Sequence, residues 1–323
     1  MTDAESLGSV GESAALARIF PRLPAASVAV IGPGDDAAVL SASDGRYVVT
    51  TDMMIHGPDF RLAWSSAHDL GWKAAASNLS DVAAMGAVPT ALVVALAAPG
   101  STSVTFLEEF ADGLRDGCAA MAPGCGVVGG DLSVSPTLTI AVTAFGDLEG
   151  RRPVLRSGAA VGDVVAVSGV LGAAGAGIRM LFESATTNGK PDAAAVAALR
   201  AEHPEVAAQL APTPPIGDGQ LAAIAGATAM IDLSDGLGLD ARRLAAASGV
   251  AIDLSLDAVG SESALAGGED HSLLATFPPG APLPGGFRAI GHVIEGSGVL
   301  VDGVAYEAPG GWDPYAGWDG GLG

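Results

Sequence analysis

Five short runs pair aspartate with glycine or other small residues: Gly34-Asp35-Asp36, Thr50-Thr51-Asp52, Asn78-Leu79-Ser80-Asp81, Gly129-Gly130-Asp131 and Asp232-Leu233-Ser234-Asp235-Gly236. Carboxylates with few cationic neighbours are what hard cations such as Mg²⁺ require, and magnesium usually binds through one or two carboxylates plus substrate phosphates. The set therefore reads as a multi-metal phosphate site assembled from distant segments. Each run alone has an ordinary explanation, because Asp-Gly is common turn chemistry. Their number in one chain outweighs it.

The Asp232–Gly236 run is the most specific. An apolar strand leads into it and a helix leaves it, so both carboxylates stand at a strand's carboxyl end, where α/β proteins bind ligands. Helix capping by Ser234 or Asp235 accounts for one of these residues but not for Asp232 as well. Gly32-Pro33-Gly34-Asp35-Asp36-Ala37 matches GxGxxA, yet two carboxylates at a helix start repel a pyrophosphate unless a cation intervenes, so it reads as metal plus phosphate. Arg156, in Arg156-Ser157-Gly158, is either a surface charge or a bidentate phosphate ligand, the task arginine suits best. Gly267-Gly268-Glu269-Asp270 reads as a turn before a helix with an acidic first turn, or as a place where Glu269 faces a substrate cation. Trp312 and Trp318, near one end, offer a stacking surface for a flat ligand.

The elements that must position these residues alternate in the first half. Strands are expected at Ala26 to Ile31, Tyr47 to Thr51, Ala91 to Ala98 and Leu138 to Phe145. A helix from Ser66 to Met85, entered through Ser65 or Ser66, carries Lys73, Ser77 and Asp81 every four residues, with Asn78 beside them. A polar stripe of that kind on an apolar helix faces a polar cavity. Phe106 to Met121 is a second helix, with Thr105 and Glu108 at capping-box spacing. The pattern breaks at Gly150-Arg151-Arg152-Pro153, which divides the chain into residues 1–150 and 151–323. Beyond it come a strand at Asp163 to Ser168, a glycine-rich turn and a helix to about Phe182. A polar loop follows at Ser184 to Pro191, then a helix capped by Asp192, a strand at Ala227 to Leu233, a helix at Leu237 to Ala247 and a strand at Ala251 to Leu256.

Composition bounds the partners. The chain has 323 residues, 49% apolar and only 16% charged, and is long enough for two packed domains. A formal charge of −21 argues against nucleic acid and anionic membranes, which both need a basic surface. Lys73 and Lys190 are the only lysines and neither lies in a GxxxxGK[ST] loop, so a P-loop is excluded. Cys118 and Cys125 lack metal spacing and read as reduced core thiols, which fits the cytoplasm. No HxxxH pair supports zinc chemistry, and His56, His68 and His203 read as ordinary surface or partly buried residues. Asp3 and Glu5 with no apolar run give no expectation of a secretory signal, and the longest apolar stretch is too short to span a bilayer.

Taken together, these motifs resemble the thiamine-monophosphate kinase family over nearly the whole chain. The resemblance rests on Gly34 to Leu40, Thr50-Thr51-Asp52, Trp72 to Ala87, Gly129-Gly130-Asp131, Arg156-Ser157-Gly158-Ala159 with Gly162-Asp163, Ile231 to Leu237, and Gly267-Gly268-Glu269-Asp270. The Gly-Asp-Asp piece alone would point only to the wider aminoimidazole ribonucleotide synthetase-like superfamily. The resemblance implies an α/β protein of two-domain α+β architecture, an N-terminal sheet domain that mediates homodimerisation, and ATP bound between the domains. It implies transfer of phosphate from ATP to thiamine monophosphate, with several Mg²⁺ ions. By matching position, Asp36, Asp52, Asp81, Asp131, Asp232 and Asp235 would hold metal. Thr50, Thr51, Gly130, Asp131, Arg156 and Ser234 would contact ATP, with Asp232 and Arg156 the catalytic pair. Asp59, Glu269 and Trp312 would face the acceptor.

Departures from the family pattern fall mostly on the acceptor side. Asp59 stands where the family has histidine, and Glu-Asp-Tyr-Glu-Leu becomes Glu269-Asp270-His271-Ser272-Leu273. Leu132-Ser133 follows Asp131 in place of two threonines, and the terminal segment ends in Pro314-Tyr315. Two other readings are a different ATP-using member of the superfamily and a metal- or nucleotide-binding dimer without catalysis. The reactive cysteine expected near the N-terminus of a selenophosphate synthetase, or at the C-terminus of a hydrogenase-maturation protein, is absent.

Overall fold

A computed structural model of the chain describes residues 5–10, 12–31, 38–187 and 190–308. The expected site residues Asp36 and Trp312 lie outside the described residues, as do Asp35 and Trp318.

A four-stranded mixed sheet occupies the first half, in the order Val48–Ile55, Thr139–Asp147, Val88–Ala98, Gly126–Val134. Only the last pair is parallel, joined by the crossover helix Val104–Met121. That helix is capped by Ser103, whose hydroxyl accepts from the Phe106 N–H at 3.1 Å, and not by Thr105. Glu108, the other half of the expected capping box, instead takes a 2.6 Å bond from Arg18. The Val48–Ile55 strand runs past Asp52, because its antiparallel ladder continues to Ile55 opposite Thr139. Asp52 thus sits mid-strand rather than at a strand end. Gly129-Gly130-Asp131 also lies within a strand.

Helix Ala67–Ala84 packs on this sheet. Ser66 caps it in a complete box with Asp69: the Ser66 hydroxyl accepts from the Asp69 N–H at 3.0 Å, and the Asp69 carboxylate accepts from the Ser66 N–H at 3.1 Å. Its neighbour, helix Val104–Met121, approaches so closely that a Cβ at Gly71 would stand 2.1 Å from the Phe110 carbonyl oxygen. Glycine is obligatory there. Leu70, Leu79, Phe110 and Leu114 fill the seam, each burial contributing about 1.5–3 kcal/mol.

Seven strands form the second sheet, in the order Ala229–Leu233, Ser272–Phe277, Val164–Ser168, Arg288–Ile294, Ala251–Leu254, Gly298–Val301, Val304–Ala305. Ser272–Phe277 replaces the expected helix after Glu269-Asp270. Its six residues are all buried, so it shows no alternation, and its two neighbours are distant in sequence. The expected polar loop at 184–191 contains a short pairing of Thr186–Thr187 with Lys190–Pro191. Helices Pro204–Leu210 and Ile216–Ile224 were not expected from the sequence. Asp192 caps helix Ala193–Glu202 as expected, accepting from Ala194 and Ala195.

Helix Ala67–Ala84 lies between the two sheets. One continuous core joins Leu79, Val82, Ile140 and Val142 to Met230, Leu273 and Phe277. Among the described residues no helix is long and apolar enough to cross a membrane. Cys118 and Cys125 are free and buried, and their mutual hydrogen bond, with burial, pushes the Cys125 thiol well up.

Candidate active site

The inner edge of the site is built where strands Val48–Ile55 and Ala229–Leu233 face helix Ala67–Ala84. Alternation puts Thr50 and Asp52 on the face turned to the helix. The Thr50 hydroxyl donates to Asp81 Oδ2 at 2.9 Å, and the Asp52 N–H donates to Asn78 Oδ1 at 3.2 Å. Thr51 points to the opposite face, where its hydroxyl bonds the Val142 carbonyl at 2.9 Å. From the second sheet, Asp232 Oδ2 lies 3.3 Å from the Ser80 hydroxyl. Asp52, Asp81 and Asp232 therefore converge from three elements.

Their charges interact. Burial, Asp232 and Asp52 push the Asp81 carboxyl up to about 7, and burial with Asp232 raises Asp52. His271, which the sequence reading named only as a departure, is buried beside them. Its Nδ1 is 3.3 Å from the Ser80 hydroxyl and 3.6 Å from Asp232 Oδ2. Burial works against a charge on this imidazole, but Asp232 outweighs it and raises the group above its ordinary value. The signal available in the sequence was its position: His271 stands two residues after Glu269, inside a run otherwise assigned to the site.

Ser234 and Asp235 do not cap the helix that follows. Gly236 occupies that position, and Asp240 reaches back to accept from the Asp235 and Gly236 N–H groups at 3.1 Å each. Burial pushes Asp240 up to about 6 against the pull of Arg243. Asp235 is paired with Arg243 at 2.6 Å. The Gly267–His271 turn is clipped onto this loop: Glu269 N–H donates to the Ser234 carbonyl at 2.7 Å, and His271 N–H to that of Leu233 at 3.1 Å. A Cβ on Gly268 would stand 2.8 Å from the Ser234 oxygen.

Two cavities flank the polar stripe of helix Ala67–Ala84. One, of about 610 Å³, is bordered by Thr50, Asp81, Asp232 and the exposed Arg156, with Tyr47 and Met230. The other, of about 520 Å³, is bordered by Asp59, Lys73 and Glu269, and by Arg61, Trp64 and Phe182. Lys73 forms an ion pair with Glu269. Burial opposes ionisation of Glu269, but Lys73 and then His271 hold its carboxyl below the usual range. Asp59 accepts from the Ile55 N–H at 2.7 Å, and burial raises its carboxyl. The Arg61 guanidinium sits 4.9 Å from the Trp64 ring centre and 4.8 Å from that of Phe182. Neither Arg61 nor Trp64 carried a sequence signal.

Gly130 and Asp131 are not brought to this cluster. They lie on Gly126–Val134, the edge strand opposite Val48–Ile55, with two strands between. Among the described residues, no three carboxylate, histidine or cysteine groups form a ready-made metal ligand set.

The aminoimidazole ribonucleotide synthetase signature described as "AIR synthase related protein, N-terminal domain" matches residues 34–148. The thiamine-monophosphate kinase of Mycobacterium tuberculosis is 43% identical over 98% of this chain and 93% of its own length. The chain belongs to the thiamine-monophosphate kinase family. The family enzyme of Corynebacterium glutamicum is 38% identical, covering 91% of this chain and 89% of its own. Among solved structures, "AaThiL complexed with AMPPCP and TMP" is similar with a TM-score of 0.71 and 35% identity, over 86% of this chain and 90% of that one. The thiamine-monophosphate kinase of Stenotrophomonas maltophilia K279a gives 0.75 and 32%, over 91% and 96%. The hydrogenase maturation protein HypE of E. coli, at 19% identity, shares the fold, with a TM-score of 0.64.

Proposed function

We propose that this chain transfers the γ-phosphoryl group of ATP directly to the phosphate of thiamine monophosphate, giving ADP and thiamine diphosphate. The observation that carries the reading is the placement of two cavities along one helical stripe, with Asp52, Asp81 and Asp232 gathered at its far end. ATP occupies the cavity bordered by Arg156 and Asp232, and the acceptor occupies the one bordered by Asp59 and Glu269. The P–O bond to ADP breaks as an acceptor phosphate oxygen bonds to the same phosphorus in line. That oxygen belongs to a group with a second pKa near ~6, already mostly ionised at neutral pH, so no general base is needed.

The obstacle is the meeting of two polyanions. Asp52, Asp81 and Asp232 are hard oxygen donors whose crowding a divalent cation would relieve, so they fit magnesium, with Asp36, Asp131 and Asp235 as further candidates. Magnesium bound there would neutralise phosphate charge. Arg156 orients the donor's phosphates, and Ser80 and His271 hold Asp232 in place. Thr50 buttresses Asp81, while Ser234 fixes the turn that carries Glu269. A Trp312 stack would suit the cationic thiazolium ring.

A homodimer completes this picture. Among the described residues no strand pairs with the outer edge of Val48–Ile55 or of Gly126–Val134, although the Val127 N–H of the latter donates to the Pro24 carbonyl, and Val49, Met53 and Val134 stand exposed on these strands. Pairing these edges between two copies would bring the partner's Asp131 toward Asp52 and would cover the exposed Thr51 face. The break near residue 150 separates the strands of the two sheets, which supports domains at 1–150 and 151–323. Two reduced, buried thiols support a cytoplasmic location. A coupled assay of ADP release tests the function: release must require thiamine monophosphate, and release with no acceptor dependence refutes it.

A further inference from the structure

Lys73 is a lysine buried to 5% exposure in a chain with only one other. It projects from the stripe of helix Ala67–Ala84 into the acceptor cavity, where its ammonium pairs with Glu269 and donates to the Gln209 carbonyl at 3.2 Å. Glu269 is presented by a turn with φ of +70° at that residue and +51° at His271, which sets the direction in which its side chain leaves the backbone. Its side chain is 37% exposed and borders the cavity. Glu183 and Asp59 also border this cavity; Asp59 accepts from the Ile55 N–H at 2.7 Å, and burial raises its carboxyl.

Resting on the function proposed above, we propose that Lys73 selects for a phosphorylated acceptor by exchanging partners: the acceptor's cationic ring takes Glu269, and its phosphate takes Lys73. Charge is conserved in the exchange, because a ligand carrying both signs replaces both halves of the ion pair. A cation without a phosphate cannot do this. It must either leave Glu269 to Lys73 or strand a buried ammonium with only the Gln209 carbonyl. Selectivity then arises from the penalty on the wrong ligand as much as from attraction to the right one.

Calorimetric titration of the full chain with thiamine monophosphate and with thiamine tests this. Wild type is expected to prefer the monophosphate. Lys73→Gln lowers monophosphate affinity about 10- to 100-fold, the range for a hydrogen bond to a charged group, and leaves thiamine binding unchanged or tighter because Glu269 is freed. Lys73→Arg restores most of the preference. Should Lys73→Gln unfold on leaving Glu269 unpaired, the double variant Lys73→Gln/Glu269→Gln removes both charges and is expected to bind the two compounds alike. Equal loss for both ligands in Lys73→Gln, or a preference surviving in the double variant, overturns the exchange alone. A wild type that binds neither compound overturns the exchange together with the functional reading.

Discussion

Asp69 joins the two halves of the molecule at one carboxylate, and its replacement by asparagine should be felt as stability. The group is 3% exposed. It accepts from the Ser66 N–H at 3.1 Å and hydroxyl at 2.7 Å, and from both Arg200 nitrogens at 2.8 Å. Burial resists its ionisation, but Arg200 and Ser66 prevail and hold the carboxyl below its usual range. An asparagine keeps one oxygen and turns an NH₂ toward donors. It therefore loses either the capping box, about 1 kcal/mol, or the bidentate pair, and leaves a buried donor facing a donor, about 1–3 kcal/mol. Arg200 is 41% exposed and recovers water, so its share is small. The sum is about 2–4 kcal/mol at neutral pH. Because the native carboxyl is depressed, this contribution is complete above the unfolded value near ~3.9 and fades as pH falls through the native one. Urea unfolding of wild type and Asp69→Asn at pH 7 and near pH 3 measures it. A difference below about 0.5 kcal/mol at pH 7, or one that grows on acidification, refutes the reasoning.

Asp232→Asn should lower turnover by about 10²- to 10³-fold with an unchanged thermal midpoint; turnover within a factor of three of wild type would remove Asp232 from the mechanism. Gly268→Ala pushes a Cβ onto the Ser234 carbonyl at 2.8 Å, and the displaced turn should raise KM for the acceptor more than KM for ATP in steady-state assays. Met53→Arg, on the exposed edge strand, should convert a dimer to a monomer by light scattering, whereas an unchanged mass would separate this face from any interface.

Much of this was legible in the chain because it is local. Ser66 and Asp192 announced their helices by cap chemistry, and the Lys73–Ser77–Asp81 spacing announced a stripe facing a cavity. What depends on pairing was not legible. Asp52 and Asp131 look equivalent in sequence, yet they occupy opposite edges of one sheet, because strand order is set by long-range ladders. Thr51 reads as part of its motif, but the two-residue period of a strand turns it away from Thr50 and Asp52. The Ser272–Phe277 strand hid because burial on both faces erases alternation. With it hid the place of Asp270, which accepts from the Gly172 and Ala174 N–H groups, the latter at 2.8 Å, and so caps helix Ala173–Ser184 across the fold.

The helix wedged between the sheets carries a mechanical implication. Side chains from both halves interlock along it, and close-packed interiors do not slide or part without losing most of their cohesion. Opening like a clamshell would therefore expose much of that shared core. Rim segments that border the acceptor cavity, the Gly57–Phe60 turn and the glycine-rich clip bearing Glu269, can move at smaller cost, so engineering for faster exchange should begin with those loops and leave the spine untouched.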